Sequence, residues 1–186
     1  MRLKIKDIAV EGDVYERVLG HDEVEALLAA STVELSDSKE AAARLALRLE
    51  VVDDSVVARG TLAGHFDVPC ARCLAPARIV AEELALIATF VPAETLARAS
   101  EEEETELTAE DLDTYVHDGE SIDLEPLVRE YLVLAIPIAP LCRDDCAGLC
   151  SRCGANQNEA PCECSDEPAA ESSWVTALKG IKESMS

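Results

Sequence analysis

The sequence predicts an α+β fold: an antiparallel β-meander covered by a helix, followed by a cysteine-rich C-terminal lobe. Three observations predict it. Residues 43–52 and 56–68 alternate apolar and polar side chains with the period of a strand. Residues 123–135 repeat their apolar side chains with the period of a helix. Six of the eight cysteines crowd into Cys142 to Cys164, beyond that helix.

The elements follow in order. The opening RLKIKDIAV alternates and is expected to add an edge strand, and DEVEALLAA, residues 22–30, suits a short helix. In ARLALRLEVV, Ala43, Leu45, Leu47, Leu49 and Val51 take one face, while Arg44, Arg48 and Glu50 take the other. Asp53-Asp54-Ser55 supplies turn chemistry, and the chain alternates again. Val56, Ala58, Gly60, Leu62, Gly64, Phe66 and Val68 oppose Val57, Arg59, Thr61, Ala63, His65 and Asp67. Two strands joined by so short a turn form an antiparallel hairpin.

Pro69 ends the second strand, and Cys70-Ala71-Arg72-Cys73 follows at once. Residues 77–91, ARIVAEELALIATFV, read as a third strand, although the Glu82-Glu83-Leu84 centre also suits a helix. Residues 92–121 carry Glu101 to Glu104 and further acids with Arg98 the only Lys or Arg, which predicts a solvated acidic loop. Asp123 is then a natural N-cap. Leu124, Leu127, Val128, Tyr131, Leu132 and Ala135 share one helical face, and Pro137 stops the helix. The expected domains are residues 1–139 and a lobe of residues 140–186, joined to the first through Cys70 and Cys73. Trp174, Leu178, Ile181 and Met185 place a last helix in the tail.

Charge narrows the function classes. The 186 residues carry 16 basic against 38 acidic side chains, net −22, and only 3% are aromatic. Such a surface repels phosphate backbones and anionic membranes at long range, so any nucleic-acid contact needs a local basic patch or a protein intermediary. The start, MRLKIKDIAVEGDV, mixes both signs of charge into its apolar residues and does not read as a signal peptide. No apolar run approaches the length of a membrane span. The chain is expected to be cytoplasmic, with no membrane partner and no small-molecule substrate.

A cytoplasmic setting bears on the cysteines. Disulfides are rare there, and the spacings are those of chelates. Cys70/Cys73 and Cys150/Cys153 are C-x2-C, Cys142/Cys146 is C-x3-C, and Cys162/Cys164 is C-x-C. A C-x2-C turn folds two sulfurs toward one point, and Gly154 supplies a residue able to take positive φ after Cys153. Four chelating pairs make two four-cysteine sites, for two Zn2+ ions. Knuckle-like turns and the lack of a triple-cysteine run favour zinc over an iron–sulfur cluster. The most local grouping joins Cys150, Cys153, Cys162 and Cys164, leaving Cys142 and Cys146 for Cys70 and Cys73; interleaved groupings stay open.

Two full thiolate sets leave no open coordination position, so both sites read as structural. His65 reads as a surface histidine, and His21 and His117 have no evident partner cluster. No P-loop, GxGxxG, HExxH or nucleophile elbow is present. No enzyme is expected.

With PCARCL, IDLEPLVREYLVLAIPIAPLC, GLCSRCGANQN and a terminal C-x-C, the chain resembles the YceD family of bacterial and plastid large ribosomal RNA subunit accumulation proteins. The resemblance implies a cytoplasmic, non-enzymatic ribosome-biogenesis factor supporting accumulation of large-subunit (23S) ribosomal RNA. The partner it implies is that RNA, a ribosomal protein or an assembly intermediate. The chain departs from the family pattern at Gln157, where an apolar residue is expected, and at Glu171-Ser172-Ser173, where the family often has Asp-Pro-Arg. Arg72, Arg143 and Arg152 lie inside cysteine loops with Arg78 nearby, which makes them candidate contacts to RNA or a partner; equally, they can only neutralise clustered thiolates. Two rival readings are a zinc-stabilised adaptor whose acidic arm binds a basic ribosomal protein, and a thiol redox protein.

Overall fold

A computed structural model describes residues 1–31, 33–36, 40–95, 113–160 and 162–164. The chain divides into two compact units, Met1–Cys146 and Ala147–Ser186. Residues 140–146 therefore group with the strands that precede them.

The first unit is built on the expected hairpin. Strands β3 (Ala42–Val52) and β4 (Ser55–Pro69) pair antiparallel from Ala42↔His65 to Val52↔Ser55. Asp53 takes φ +53° at the turn, a conformation short polar side chains tolerate. Leu45, Leu47 and Leu49 face inward with Val56, Ala58, Leu62 and Phe66, as the alternation predicts. Gly60 has a steric reason: a Cβ there would lie 1.9 Å from the Ala46 carbonyl oxygen. Asp67 breaks the polar-out expectation, because it is buried and bonded to Arg78, its cross-strand partner on β5.

Strand β5 (Pro76–Pro92) returns antiparallel along β4, from Pro69↔Pro76 to Val56↔Phe90. Its ambiguity in the sequence has a physical cause. Ala77, Ile79 and Ala81 are buried at odd positions, whereas Leu86, Ala88 and Phe90 are buried at even ones. The register shifts between Leu62 and Gly64 of the partner strand, and Glu83 takes φ +44°. One bulge flips the phase, so no single period fits the whole segment.

The remaining elements correct the sequence expectation. One edge strand of the sheet is β2 (Asp13–Leu19), paired with β3 from Asp13↔Leu49 to Leu19↔Ala43. Its Val14 and Val18 face solvent, which hid its alternation. The N-terminal β1 (Arg2–Lys4) does not join this sheet; it pairs with β7 (Ser121–Asp123) in a separate two-stranded ladder. Strand β6 (Thr114–His117) runs parallel to β5, so the five-stranded sheet, ordered β2-β3-β4-β5-β6, is mixed and not a pure antiparallel meander. A parallel neighbour needs a long connection back to the same end of the sheet, and residues 93–113 supply that length. The expected loop of residues 92–121 thus contains β6 and the start of β7; its run from Glu101 to Glu104 lies outside the described residues.

Helices α1 (His21–Ala29) and α2 (Glu125–Leu134) close the core. Val24, Leu27 and Leu28 of α1 and Leu127, Val128 and Leu132 of α2 join the inward sheet residues in one apolar cluster, which Leu124 extends. The cap position falls on Leu124, one residue after the expected Asp123. The Asp123 carboxylate still accepts a first-turn bond, from the Glu125 amide at 3.0 Å. Among the described residues no helix is long and apolar enough to cross a membrane. The tail helix expected around Trp174 lies outside the described residues, as does Glu171-Ser172-Ser173.

Candidate metal centres

The first centre grows from the end of the β4–β5 ladder. After the last pair, Pro69↔Pro76, the chain turns through Cys70–Ala75. The Cys70 amide donates to the Ala75 carbonyl at 2.9 Å, and the Leu74 amide to the Cys70 carbonyl at 3.0 Å. The Arg72 amide points at the Cys70 Sγ, 3.4 Å away. Leu74 takes φ +63° to complete the turn.

After α2, the Pro140 carbonyl accepts from the Ala71 amide at 2.8 Å, and Cys146 closes a turn on the Arg143 carbonyl at 3.1 Å. Those contacts bring Cys142 and Cys146 to the first pair across 69 and 76 residues of chain. The Sγ of Cys70 lies 3.8 Å from that of Cys146, and the Sγ of Cys73 lies 3.5 Å from that of Cys142.

The second unit repeats the turn. The Cys150 amide donates to the Ala155 carbonyl at 2.8 Å, the Gly154 amide to the Cys150 carbonyl at 2.9 Å, and the Arg152 amide to the Cys150 Sγ at 3.5 Å. Gly154 takes φ +72°, as its position after Cys153 led us to expect. Cys162 and Cys164 complete a quartet with Cys150 and Cys153. A short bridge, Leu149↔Asn156, and bonds from Gln157 N to the Gly148 carbonyl (2.9 Å) and from Ala147 N to Asn158 Oδ1 (2.7 Å) hold the loop. Gln157 is exposed and contributes its backbone here, which gives its polar side chain a solvent environment.

In each quartet the four sulfurs lie within 4.8 Å of one another. Metal at about 2.3 Å from four tetrahedral sulfurs sets them ~3.8 Å apart, so the spacing suits a cation and is far too long for a disulfide. The grouping is the local one. Electrostatics agree. Burial pushes the Cys70 thiol up, but the amides of Arg72, Cys142 and Cys73 outweigh it and bring the group down to about 6. The amides of Cys153 and Arg152 bring Cys150 down to about 6 as well. Burial, then the neighbouring sulfurs, pushes Cys142 up to about 12; hydrogen bonding with Cys153, then burial, does the same to Cys164. Four crowded sulfurs cannot all ionise alone, and a dication at their centre removes that conflict.

The arginines are placed in detail. Arg72 is exposed, and its Nη1 donates to the Cys146 carbonyl at 2.9 Å, bridging the two halves of its quartet. Arg78 is held by Asp67 and by Glu40, the latter at 2.7 Å. Arg143 lies 3.5 Å from the exposed Asp145 carboxylate, and Arg152 is exposed on the second knuckle. His65 belongs to neither quartet. His117 is buried, its Nδ1 accepting from the Gly119 amide and its Nε2 facing the Asp54 carbonyl. His21 corrects an expectation, since Asp22 and Glu25 bring carboxylate oxygens within 4.8 Å of it. The helical i, i+4 spacing of His21 and Glu25 was the signal for that group.

Among the described residues, a mixed sheet packed with helices and two sets of four cysteines able to hold a metal ion define the class: an α+β protein with two candidate metal centres. A family model described as "Large ribosomal RNA subunit accumulation protein YceD" matches residues 58–182. The chain belongs to the YceD family.

Uncharacterised proteins of Mycobacterium tuberculosis and Mycobacterium bovis are each 36% identical to it over 111 residues, 59% of this chain and 49% of theirs. The chain thus spans about half the length of these relatives. A segment of 46 residues is 39% identical to the chloroplastic large ribosomal RNA subunit accumulation protein YCED homolog 1 of Arabidopsis thaliana, covering 25% of this chain and 14% of that one. No solved structure matches the chain significantly.

Proposed function

We propose that this protein is a non-enzymatic, cytoplasmic ribosome-biogenesis factor that supports accumulation of 23S ribosomal RNA. The family match over residues 58–182 carries the reading. Each quartet holds one zinc ion: the all-sulfur donor set, sulfurs that lie within 4.8 Å of one another and the amides aimed at Cys70 and Cys150 all favour Zn2+. When bound, the ion supplies cross-linking and no reactive position. Cys70, Cys73, Cys142 and Cys146 tie the end of the sheet to the segment after α2, and Cys150, Cys153, Cys162 and Cys164 shape a separate lobe.

Four thiolates around a dication leave about −2 at each site, so metal loading makes an acidic protein more acidic. Contact with RNA must then be short-range. Arg72, Arg143 and Arg152, presented by hydrogen-bonded turns at the surface, are the contacts we propose. Arg78 is left out, because two carboxylates already engage it. Fresh protein should carry about two zinc ions per chain by elemental analysis; all eight cysteines found in disulfides would refute the metal assignment.

Replacing Arg72, Arg143 and Arg152 together with Ala should lower 23S RNA accumulation in cells while zinc content stays unchanged. The net charge of −22 supports a second reading, an adaptor for a basic ribosomal protein. On that reading the triple variant behaves like wild type, and deletion of Glu101 to Glu104 lowers the RNA instead. Crosslinking in cells separates the two directly, by whether RNA or protein is captured.

A further inference from the structure

The two quartets are alike in spacing and unlike in access. Cys70, Cys73 and Cys146 are at most 5% exposed, and Cys142 is half-buried. In the second quartet Cys150 is buried, Cys162 and Cys164 are half-buried, and Cys153 alone among the eight cysteines, all of them described, is exposed. The quartets also differ in what must open to release a sulfur. Freeing Cys70 or Cys73 disturbs the end of the paired β4–β5 ladder, the Ala71–Pro140 bond and the Arg72–Cys146 bond. Freeing Cys153 disturbs a local loop between Cys150 and Cys164 that anchors no long strand. Local openings of that kind cost far less than breaking a sheet edge.

We propose that the second quartet is an oxidative modification site: a hydroperoxide reacts at Cys153, a disulfide forms within the quartet, and the metal leaves, while the first quartet keeps its own. This rests on the reading that both quartets hold zinc. In the first step the Cys153 thiolate gives an electron pair to one oxygen of hydrogen peroxide. The O–O bond breaks, the other oxygen leaves and is protonated to water, and Cys153 becomes a sulfenic acid. The thiolate of Cys162 or Cys164, within 4.8 Å, then attacks that sulfur. The S–S bond forms and hydroxide leaves, to be protonated to a second water. Two thiolates lose two electrons in all, and the peroxide gains them. A cation left with two thiolate ligands dissociates as aqueous Zn2+.

The test uses the full, reduced, zinc-loaded chain. Its metal content is measured first; the chain is then titrated with hydrogen peroxide while a chromogenic chelator reads released zinc and mass spectrometry maps the bonds formed. The expected result is loss of about one of two zinc ions per chain, with Cys153 joined to Cys162 or Cys164. Cys70, Cys73, Cys142 and Cys146 stay reduced, and dithiothreitol with added zinc restores the starting state. The variant Cys153→His keeps a zinc ligand but removes the reacting sulfur, and should release zinc much more slowly.

Release of both ions together overturns the proposal, as do disulfides appearing first at the first quartet or no release at a peroxide excess that oxidises free cysteine. Equal release from Cys153→His overturns the assignment of the reacting sulfur. A chain that carries no zinc before peroxide is added overturns this proposal and the metal reading beneath it, whereas two bound ions with the wrong release pattern overturn the proposal alone.

Discussion

The knuckles CARCLA and CSRCGA are the same turn in two settings. Three matching hydrogen bonds differ by no more than 0.1 Å each: 2.9 and 2.8 Å from the first cysteine amide, 3.0 and 2.9 Å back to its carbonyl, 3.4 and 3.5 Å to its sulfur. Both knuckles aim an amide at a sulfur and hold one cysteine down to about 6. Yet one closes a quartet across 69 to 76 residues and sits in the body of the first unit, while the other closes a quartet inside a few turns of chain. Local sequence builds the turn; the distance to its partner pair sets how much stability the turn controls. A cross-link over some 70 residues removes ~4 kcal/mol of unfolded-chain entropy, against ~2.5 kcal/mol for one over about ten.

Breaking each knuckle in turn gives the largest expected effect. Cys73→Ser should lower the stability of the entire first unit by ~4 kcal/mol or more, read as an earlier denaturant midpoint of the β-sheet circular dichroism signal. Cys150→Ser should leave that midpoint in place and raise amide exchange only in residues 147–164. Equal, purely local effects from both would break the comparison.

Acid should separate the quartets next. The Cys70 and Cys150 thiols are lowered from 9.0 to about 6, so their ionised forms contribute stability that is complete above 9 and lost as pH falls through about 6. A bound dication pulls the thiolates lower still. Zinc should therefore be retained at pH 7 and released below about 6, from the second quartet first, because its cysteines are the more exposed. Simultaneous release, followed with a chelating dye, would show that burial does not distinguish the sites.

The smallest effect tests the position where one turn carries leucine and the other glycine. Leu74 and Gly154 occupy the same left-handed position, at φ +63° and +72°. A side chain there costs ~1 kcal/mol, and a Cβ on Gly154 would meet no atom within 4 Å, so backbone strain is the whole penalty. Gly154→Ala should weaken zinc retention in the second unit by about that amount. Leu74→Gly should raise the denaturant midpoint of the first unit, by the equivalent of up to ~1 kcal/mol of stability, since Leu74 is 67% exposed and recovers little by burial. A fall in that midpoint would mean that the Leu74 side chain makes contacts outweighing its strain.

Much of this was legible in the residues. The β3–β4 hairpin could be read because Leu45, Leu47 and Leu49 and their partners alternate without interruption, and a two-residue turn leaves one register. The apolar face of α2 could be read because Leu124, Leu127, Val128 and Leu132 keep one period. Strand β2 could not, since an edge strand that exposes Val14 and Val18 carries no clean apolar face. Nor could β6, because Thr114–His117 is short and its neighbour in space is set by a long connection and not by its own pattern. Asp67 looked like a surface carboxylate until its cross-strand partner proved to be Arg78.

Sequence by itself determined the cysteine pairs and the turns that carry them. Two sulfurs one to three residues apart converge through local backbone geometry, whatever the remainder of the chain does. Only tertiary structure decided which pairs meet. Cys70 and Cys73 reach Cys142 and Cys146 because the β4–β5 ladder, bent by the bulge at Glu83, carries one pair to the Ala71–Pro140 contact where the segment after α2 delivers the other. No local pattern encodes that meeting: it depends on long-range pairing and core burial, whose free energy is shared among residues far apart in the chain.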